Sequence, residues 1–186
     1  EEIKLFIENF NYHPNKTIVG ERVKRSESIL FKLCYSFHKI LTYTFTGQSI
    51  KFGNYTCLTK STIEKMLTDK ATWSSFSGSL AKNCNDRAAI ASERGKRYFG
   101  PSKMSFFNLL KHSLAIIGVF KFNVLIRSIL FILVYLFLIY QKISFIMSMP
   151  LILVVLFLVS TFVISKRENL NQLESSLENI LNIQKF

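Results

Sequence analysis

Two stretches near the C-terminal end carry the strongest pattern in the chain. From Phe122 to Tyr140 the only charge is Arg127, and from Ile143 to Ser165 there is none. At about 1.5 Å per residue, helices of these lengths reach roughly 28 to 35 Å, enough to cross a hydrocarbon core of about 30 Å. Only Gln141 and Lys142 break the apolar run between them, which predicts a tight turn and a two-span hairpin. A helical hairpin buried inside a larger assembly is the other arrangement such a pattern allows. Arg127 sits close enough to its end of the first span to snorkel.

Upstream the periods are shorter and the elements smaller. Ile3, Phe6, Ile7 and Phe10 recur at helical spacing from the very start, Tyr12 to Lys16 forms a loop around Pro14, and Thr17-Ile18-Val19 predicts a short buried strand ending at Gly20. With Ser26 or Ser28 as N-cap, Ile29, Leu30, Leu33, Cys34, Phe37, Ile40 and Leu41 predict a one-faced helix, broken at Thr46-Gly47-Gln48. Gly53-Asn54-Tyr55 leads into an extended segment over 56–59. Ser61-Thr62-Ile63-Glu64 has the form of a capping box and predicts a short helix to about Leu67. The pattern over 72–85 is undecided, and Ala88 to Ser92 resembles a strand.

Phe106, Phe107, Leu110, Leu114 and Ile117 then share one helical face, with Lys103, Lys111 and Lys121 elsewhere. Such a helix either lies in the membrane interface, its lysines meeting anionic headgroups, or packs on its own domain. After the second span, Leu170, Leu173, Leu177 and Leu181 predict a helical tail that packs on a partner or a surface, a second copy of the chain included.

Charge sets the orientation. The formal net charge is +12; residues 1–121 carry 19 Lys and Arg against 9 Asp and Glu, and Lys166 and Arg167 follow the second span. By the positive-inside rule both termini belong on the cytoplasmic side, as in a bacterial inner membrane. A basic, aromatic-rich chain can also bind nucleic acid, but two spans argue against that use. Cys34, Cys57 and Cys84 have no C-x-x-C spacing, and His13, His38 and His112 do not cluster with them, so all six read as structural. The sequons at Asn15 and Asn54 stay unmodified in a cytoplasmic location.

The distinctive chemistry is a set of arginines beside this anchor. Gly20-Glu21-Arg22-Val23-Lys24-Arg25 and Arg94-Gly95-Lys96-Arg97-Tyr98-Phe99-Gly100-Pro101-Ser102-Lys103 concentrate fork-shaped, permanently charged donors suited to phosphate oxygens. They hold either a specific phosphate or simply anionic lipid. The order of strand, G-x-R-x-x-R, amphipathic helix, G-N-Y segment, and R-x-x-R-x-x-G-x-S-K before an interfacial helix and two spans resembles the polyprenyl-phosphate glycosyltransferases of family 2. These include dolichol-phosphate mannosyltransferases and bacterial enzymes that load undecaprenyl phosphate. The likeness covers residues 1 to about 165 and is most specific at Arg94, Arg97, Gly100, Ser102 and Lys103.

The resemblance implies an α/β fold: residues 1–103 as the C-terminal part of a GT-A, Rossmann-like catalytic domain, 104–121 as the interfacial amphipathic helix, 122–165 as a two-helix transmembrane hairpin, and 166–186 as a cytoplasmic helical tail. It implies transfer of a sugar from a nucleotide-sugar donor to a polyprenyl phosphate. Arg22 and Arg25 would approach donor or acceptor phosphates, while Arg94, Arg97, Ser102 and Lys103 would hold the lipid phosphate. Asn54 would contact substrate or metal-bound water, or merely stabilise a turn, since G-N-Y stands where the family carries G-D-F. A divalent metal, Mg or Mn, would be held by a D-x-D motif that these 186 residues lack. An acidic helix like the one from Glu1 follows that motif in the family, so the chain is expected to be a C-terminal fragment, inactive alone. A non-catalytic two-span protein that recruits anionic lipid or a partner is the alternative.

Overall fold

A computed structural model describes residues 2–22, 29–92 and 106–166. Among these, the chain is mostly helical around one small mixed sheet. In order it forms α1 (Glu2–Tyr12), β1 (Thr17–Arg22), α2 (Ile29–Thr46), β2 (Phe52–Cys57), α3 (Lys60–Thr68), α4 (Ala71–Ser74), α5 (Phe76–Asn83), β3 (Arg87–Ser92), α6 (Phe106–Gly118), α7 (Lys121–Ile139) and α8 (Phe145–Ser165). The predicted tail lies outside the described residues.

The strand order is β2-β1-β3, with β1 antiparallel to β2 and parallel to β3. Alternation along β1 assigns its two faces, as a period of two requires. Ile18 packs with Phe6 and Ile90 beneath α1, whereas Val19 joins Phe52, Met66, Ala71, Leu80, Ala81 and Cys84 under α3 to α5. At Gly20 the β1–β2 register shifts, and a Cβ there would stand 3.1 Å from Phe6 Cζ. The strand runs past Gly20 to Arg22, because pairing with β3 continues through Glu21↔Ala91 and Arg22↔Ser92.

Other boundaries move for local reasons. β2 starts at Phe52, so Gly53-Asn54-Tyr55 lies inside a strand and Asn54 is no turn residue. The cap of α3 is Thr59, not Ser61: Thr59 is the last extended residue, and its hydroxyl accepts the Thr62 N–H at 3.3 Å. The Thr62 hydroxyl in turn contacts those of Thr59 (2.9 Å) and Thr17 (3.1 Å), tying α3 to the start of β1. The undecided region resolves into two helices, with Ser75 capping α5 through the Gly78 N–H.

The core continues from the sheet into the apolar helices. Val119 and Phe120, at the α6–α7 corner, belong to the same cluster as Val19 and Leu80. Gly118 approaches α8 closely, 3.5 Å from Thr161 O and 3.6 Å from Ser165 Cβ for a built Cβ. The Thr161 and Ser165 hydroxyls bond back to Phe157 O and Phe162 O, so this seam is small and self-satisfied, as helix contacts in lipid require. At the other end Ser144 caps α8 and the Tyr135 hydroxyl donates to Met147 O at 3.1 Å.

Gly78 is where α5 meets that corner. A Cβ there would lie 2.8 Å from Val119 Cγ2 and 3.2 Å from Ile116 O. Gly78→Ala should therefore destabilise the protein by about 1–3 kcal/mol, overriding the roughly 0.5–1 kcal/mol that alanine normally gains in a helix. Thermal unfolding of the detergent-solubilised protein measures this, and an unchanged or raised Tm would contradict the packing.

Candidate functional site at the carboxyl ends of β1 and β3

The parallel pairing of β1 and β3 sets two strand ends side by side, and a basic stretch follows each of them in the sequence. Their six register pairs run from Thr17↔Arg87 to Arg22↔Ser92, so the two strands finish level with each other. The sequence Arg22 to Arg25 continues from one of these ends, and the sequence Arg94 to Lys103 from the other. In open α/β sheets, ligands bind outside the carboxyl ends of strands, in the crevice between neighbouring connections.

Of the sequence-predicted site residues, Arg22 is the last residue of β1, and Arg25, Arg94, Arg97, Ser102 and Lys103 lie outside the described residues. Asn54 is exposed in β2, the strand beside β1 on the side away from β3. Among the described residues no group of three His, Cys, Asp or Glu side chains is placed to hold a metal ion.

α7 and α8, of 19 and 21 residues, are long and apolar enough to cross a membrane. α6 is exposed at its start and buried at its end. Its first half leaves Phe107 and Leu110 exposed, while Ala115, Ile116 and Ile117 are buried where it packs against α5 and α8. The buried end of the helix thus packs on its own domain.

Three features had escaped the sequence reading. The first is Arg127, whose Nη1 donates to Thr44 O at 2.8 Å and Tyr43 O at 3.5 Å, while Asn123 Nδ2 donates to Thr46 O at 3.3 Å. These are the C-terminal carbonyls of α2, which no intrahelical N–H can satisfy. Gly47, at φ +76°, ends the helix and returns its N–H to Tyr43 O. A glycine after a helical pattern and a lone arginine in a span were each visible, but nothing in the sequence pairs them.

Arg87 performs the same service for α5. Its guanidinium donates to Leu80 O, Ala81 O and Cys84 O, and stacks over the Phe52 ring. At the neighbouring turn the Asp69 carboxylate accepts Asn83 Nδ2 (2.7 Å), Ala71 N–H (3.0 Å) and Lys82 Nζ (3.0 Å). Burial pushes its pKa up, but those donors outweigh burial and hold it below the usual value.

The third feature is a histidine pair where α2 meets α6. His38 is held below its usual pKa by burial and then by His112, and His112 is lowered by burial.

No protein family, curated protein or solved structure matches this chain.

Gly47→Ala would force an L-residue into the left-handed region and set its Cβ 2.8 Å from Arg127 Nη2. A loss of about 1–2 kcal/mol is expected, read as a lower Tm in detergent. The histidines predict acid sensitivity. Unfolded histidines take up protons below about pH 6.5 while His38 and His112 resist, so the unfolded state binds more protons and stability falls as pH drops through that value. Tm measured at about pH 7.5 and pH 5 should show the fall, and His38→Gln should reduce it.

Proposed function

We propose that this chain is part of a membrane-bound glycosyltransferase that moves a sugar from a nucleotide-sugar donor to a polyprenyl phosphate. In this reading it contributes the acceptor-binding end of a GT-A type domain and its membrane anchor. The observation that carries the reading is the parallel β1–β3 register. It aligns the strand ends from which Arg22-Val23-Lys24-Arg25 and Arg94 to Lys103 follow, on a domain packed against two membrane-length helices.

A lipid phosphate is already an anion, so its oxygen attacks the donor sugar without much help from a base. The protein's tasks are to orient that oxygen and to neutralise charge. Arg94, Arg97, Ser102 and Lys103 hold the acceptor phosphate at headgroup height, and Arg22 and Arg25 face the phosphates from the neighbouring strand end. Asn54 is a further substrate contact. A divalent metal, Mg or Mn, would be bound with the donor diphosphate by residues other than those described.

The sheet leaves room for a donor-binding half. Among the described residues β2 and β3 have no further strand beyond them, and on α1 Ile3 and Ile7 are 68% and 54% exposed. Further strands and a covering helix would complete a Rossmann-like layer there. The basic flanks set both termini on the cytoplasmic face.

The reading is tested in membranes carrying the full upstream reading frame, by transfer of radiolabelled sugar from a panel of nucleotide sugars to undecaprenyl phosphate. Lipid-linked label is expected with one donor. Arg97→Ala in that enzyme should lower transfer by about two to three orders of magnitude, the scale of losing one preorganised charge-stabilising contact, with membrane insertion unchanged. Transfer that is absent from the folded, inserted wild type, or undiminished in the variant, would overturn the assignment and favour a non-catalytic protein that gathers anionic lipid.

A further inference from the structure

α2 is apolar on two sides, and only one is covered. On the inner side Leu41 and Phe45 pack with Ile117, Val124, Val154, Phe157 and Leu158, the Phe45 and Phe157 rings 4.7 Å apart. On the outer side Leu33, Phe37, Ile40 and Tyr43 recur every three or four residues, and each is 63% exposed. Helices of soluble proteins turn polar residues outward at such positions. Here Lys39 stands at the margin of the stripe, its Nζ 4.9 Å from the centre of the Tyr35 ring.

The depth at which α2 docks decides what covers this stripe. It is joined to α7 at Asn123 and Arg127, and to α8 over Val154 to Leu158. At 1.5 Å per residue, Arg127 lies about 9 Å along α7 from Lys121, and Phe157 about 12 Å along α8 from Ser165. If water reached α2 at that level, the apolar length left on α7 from Arg127 to Ile139 would be about 18 Å, well short of a hydrocarbon core of about 30 Å. The whole of α7 and α8, about 28 and 31 Å, fits that core. α2 is therefore sunk by about the 5–10 Å at which in-plane helices settle at the headgroup and acyl boundary.

We infer that α2 is an in-plane membrane helix whose Leu33, Phe37, Ile40 and Tyr43 side enters the acyl boundary beside α7 and α8. Its partner is the lipid itself. Exposed apolar residues of α7 at the same level, Phe122 and Ile126, continue this lipid-facing surface. The inference rests on α7 and α8 crossing the membrane and is independent of any transferase activity.

Depth-dependent quenching tests it. In full-length protein with Trp73→Phe, single tryptophans are introduced by Phe37→Trp, by Tyr43→Trp as a second probe of the same side, by Leu130→Trp at mid-span, and by Tyr12→Trp on α1, where the native ring is 82% exposed. Each variant is reconstituted in phosphatidylcholine and phosphatidylglycerol vesicles brominated either high on the acyl chain or near its end. Phe37→Trp and Tyr43→Trp should be quenched several-fold more than Tyr12→Trp, and most by the high bromines. Leu130→Trp should respond most to the chain-end bromines. Probes at 37 and 43 that behave like Tyr12→Trp while Leu130→Trp is quenched would overturn the inference and leave the spans intact. Loss of quenching at Leu130 too would overturn both.

Discussion

A guanidinium two turns into an apolar helix carries a charge that lipid cannot solvate, and a helix that ends among apolar neighbours exposes carbonyls with no donors. In this protein each problem answers the other. Arg127 on α7 gives its N–H groups to Thr44 O and Tyr43 O, Asn123 supplies Thr46 O, and Gly47 turns the chain away in a conformation that leaves room for the arginine. Separating α2 from α7 would take the Arg127 and Asn123 donors from the last carbonyls of α2. That makes the joint between the sheet-bearing part and the apolar helices specific in register as well as apolar.

From that joint the packing runs without a break to the sheet. Phe45 of α2 meets Ile117 of α6 and Phe157 of α8. Val119 and Phe120, one turn on, share a cluster with Val19 of β1 and Leu80 of α5. The tight approach of Gly78 to Val119 and of Gly118 to Thr161 lets backbone come close where a larger residue would hold the elements apart. Because interiors are packed at nearly crystalline density, such a chain of contacts fixes the height and tilt of the sheet relative to the apolar helices. The carboxyl ends of β1 and β3 are held with it. In the proposed transferase this placement would matter more than any single side chain, because a lipid phosphate stays at the height of the headgroups.

The arginines fall into two groups that composition cannot tell apart. Arg87 and Arg127 are consumed by helix carbonyls, a use in which a fork of donors and a cation both suit the negative end of a helix. Arg22 ends β1 and is followed in sequence by Arg25, while Arg94 and Arg97 follow the end of β3.

Much was legible from local pattern. The two apolar helices, α1, most of α2, and strands at Thr17 and Ala88 follow from periodicity and from Gly and Pro placement, because each is set by residues a few positions apart. The charge asymmetry and the two basic stretches are likewise properties of the sequence alone. Tertiary structure decided whatever depends on partners distant in the chain. It extended β1 through Arg22, since pairing with β3 continues there, and it moved the α3 cap to Thr59, the last residue with extended backbone before the helix. It divided α6 between an open and a buried half and turned an exposed apolar side of α2 outward. It also brought Arg127 to Gly47 and His112 toward His38. Hydrophobic period reports that a face will be buried, but which surface buries it is settled only when the elements meet.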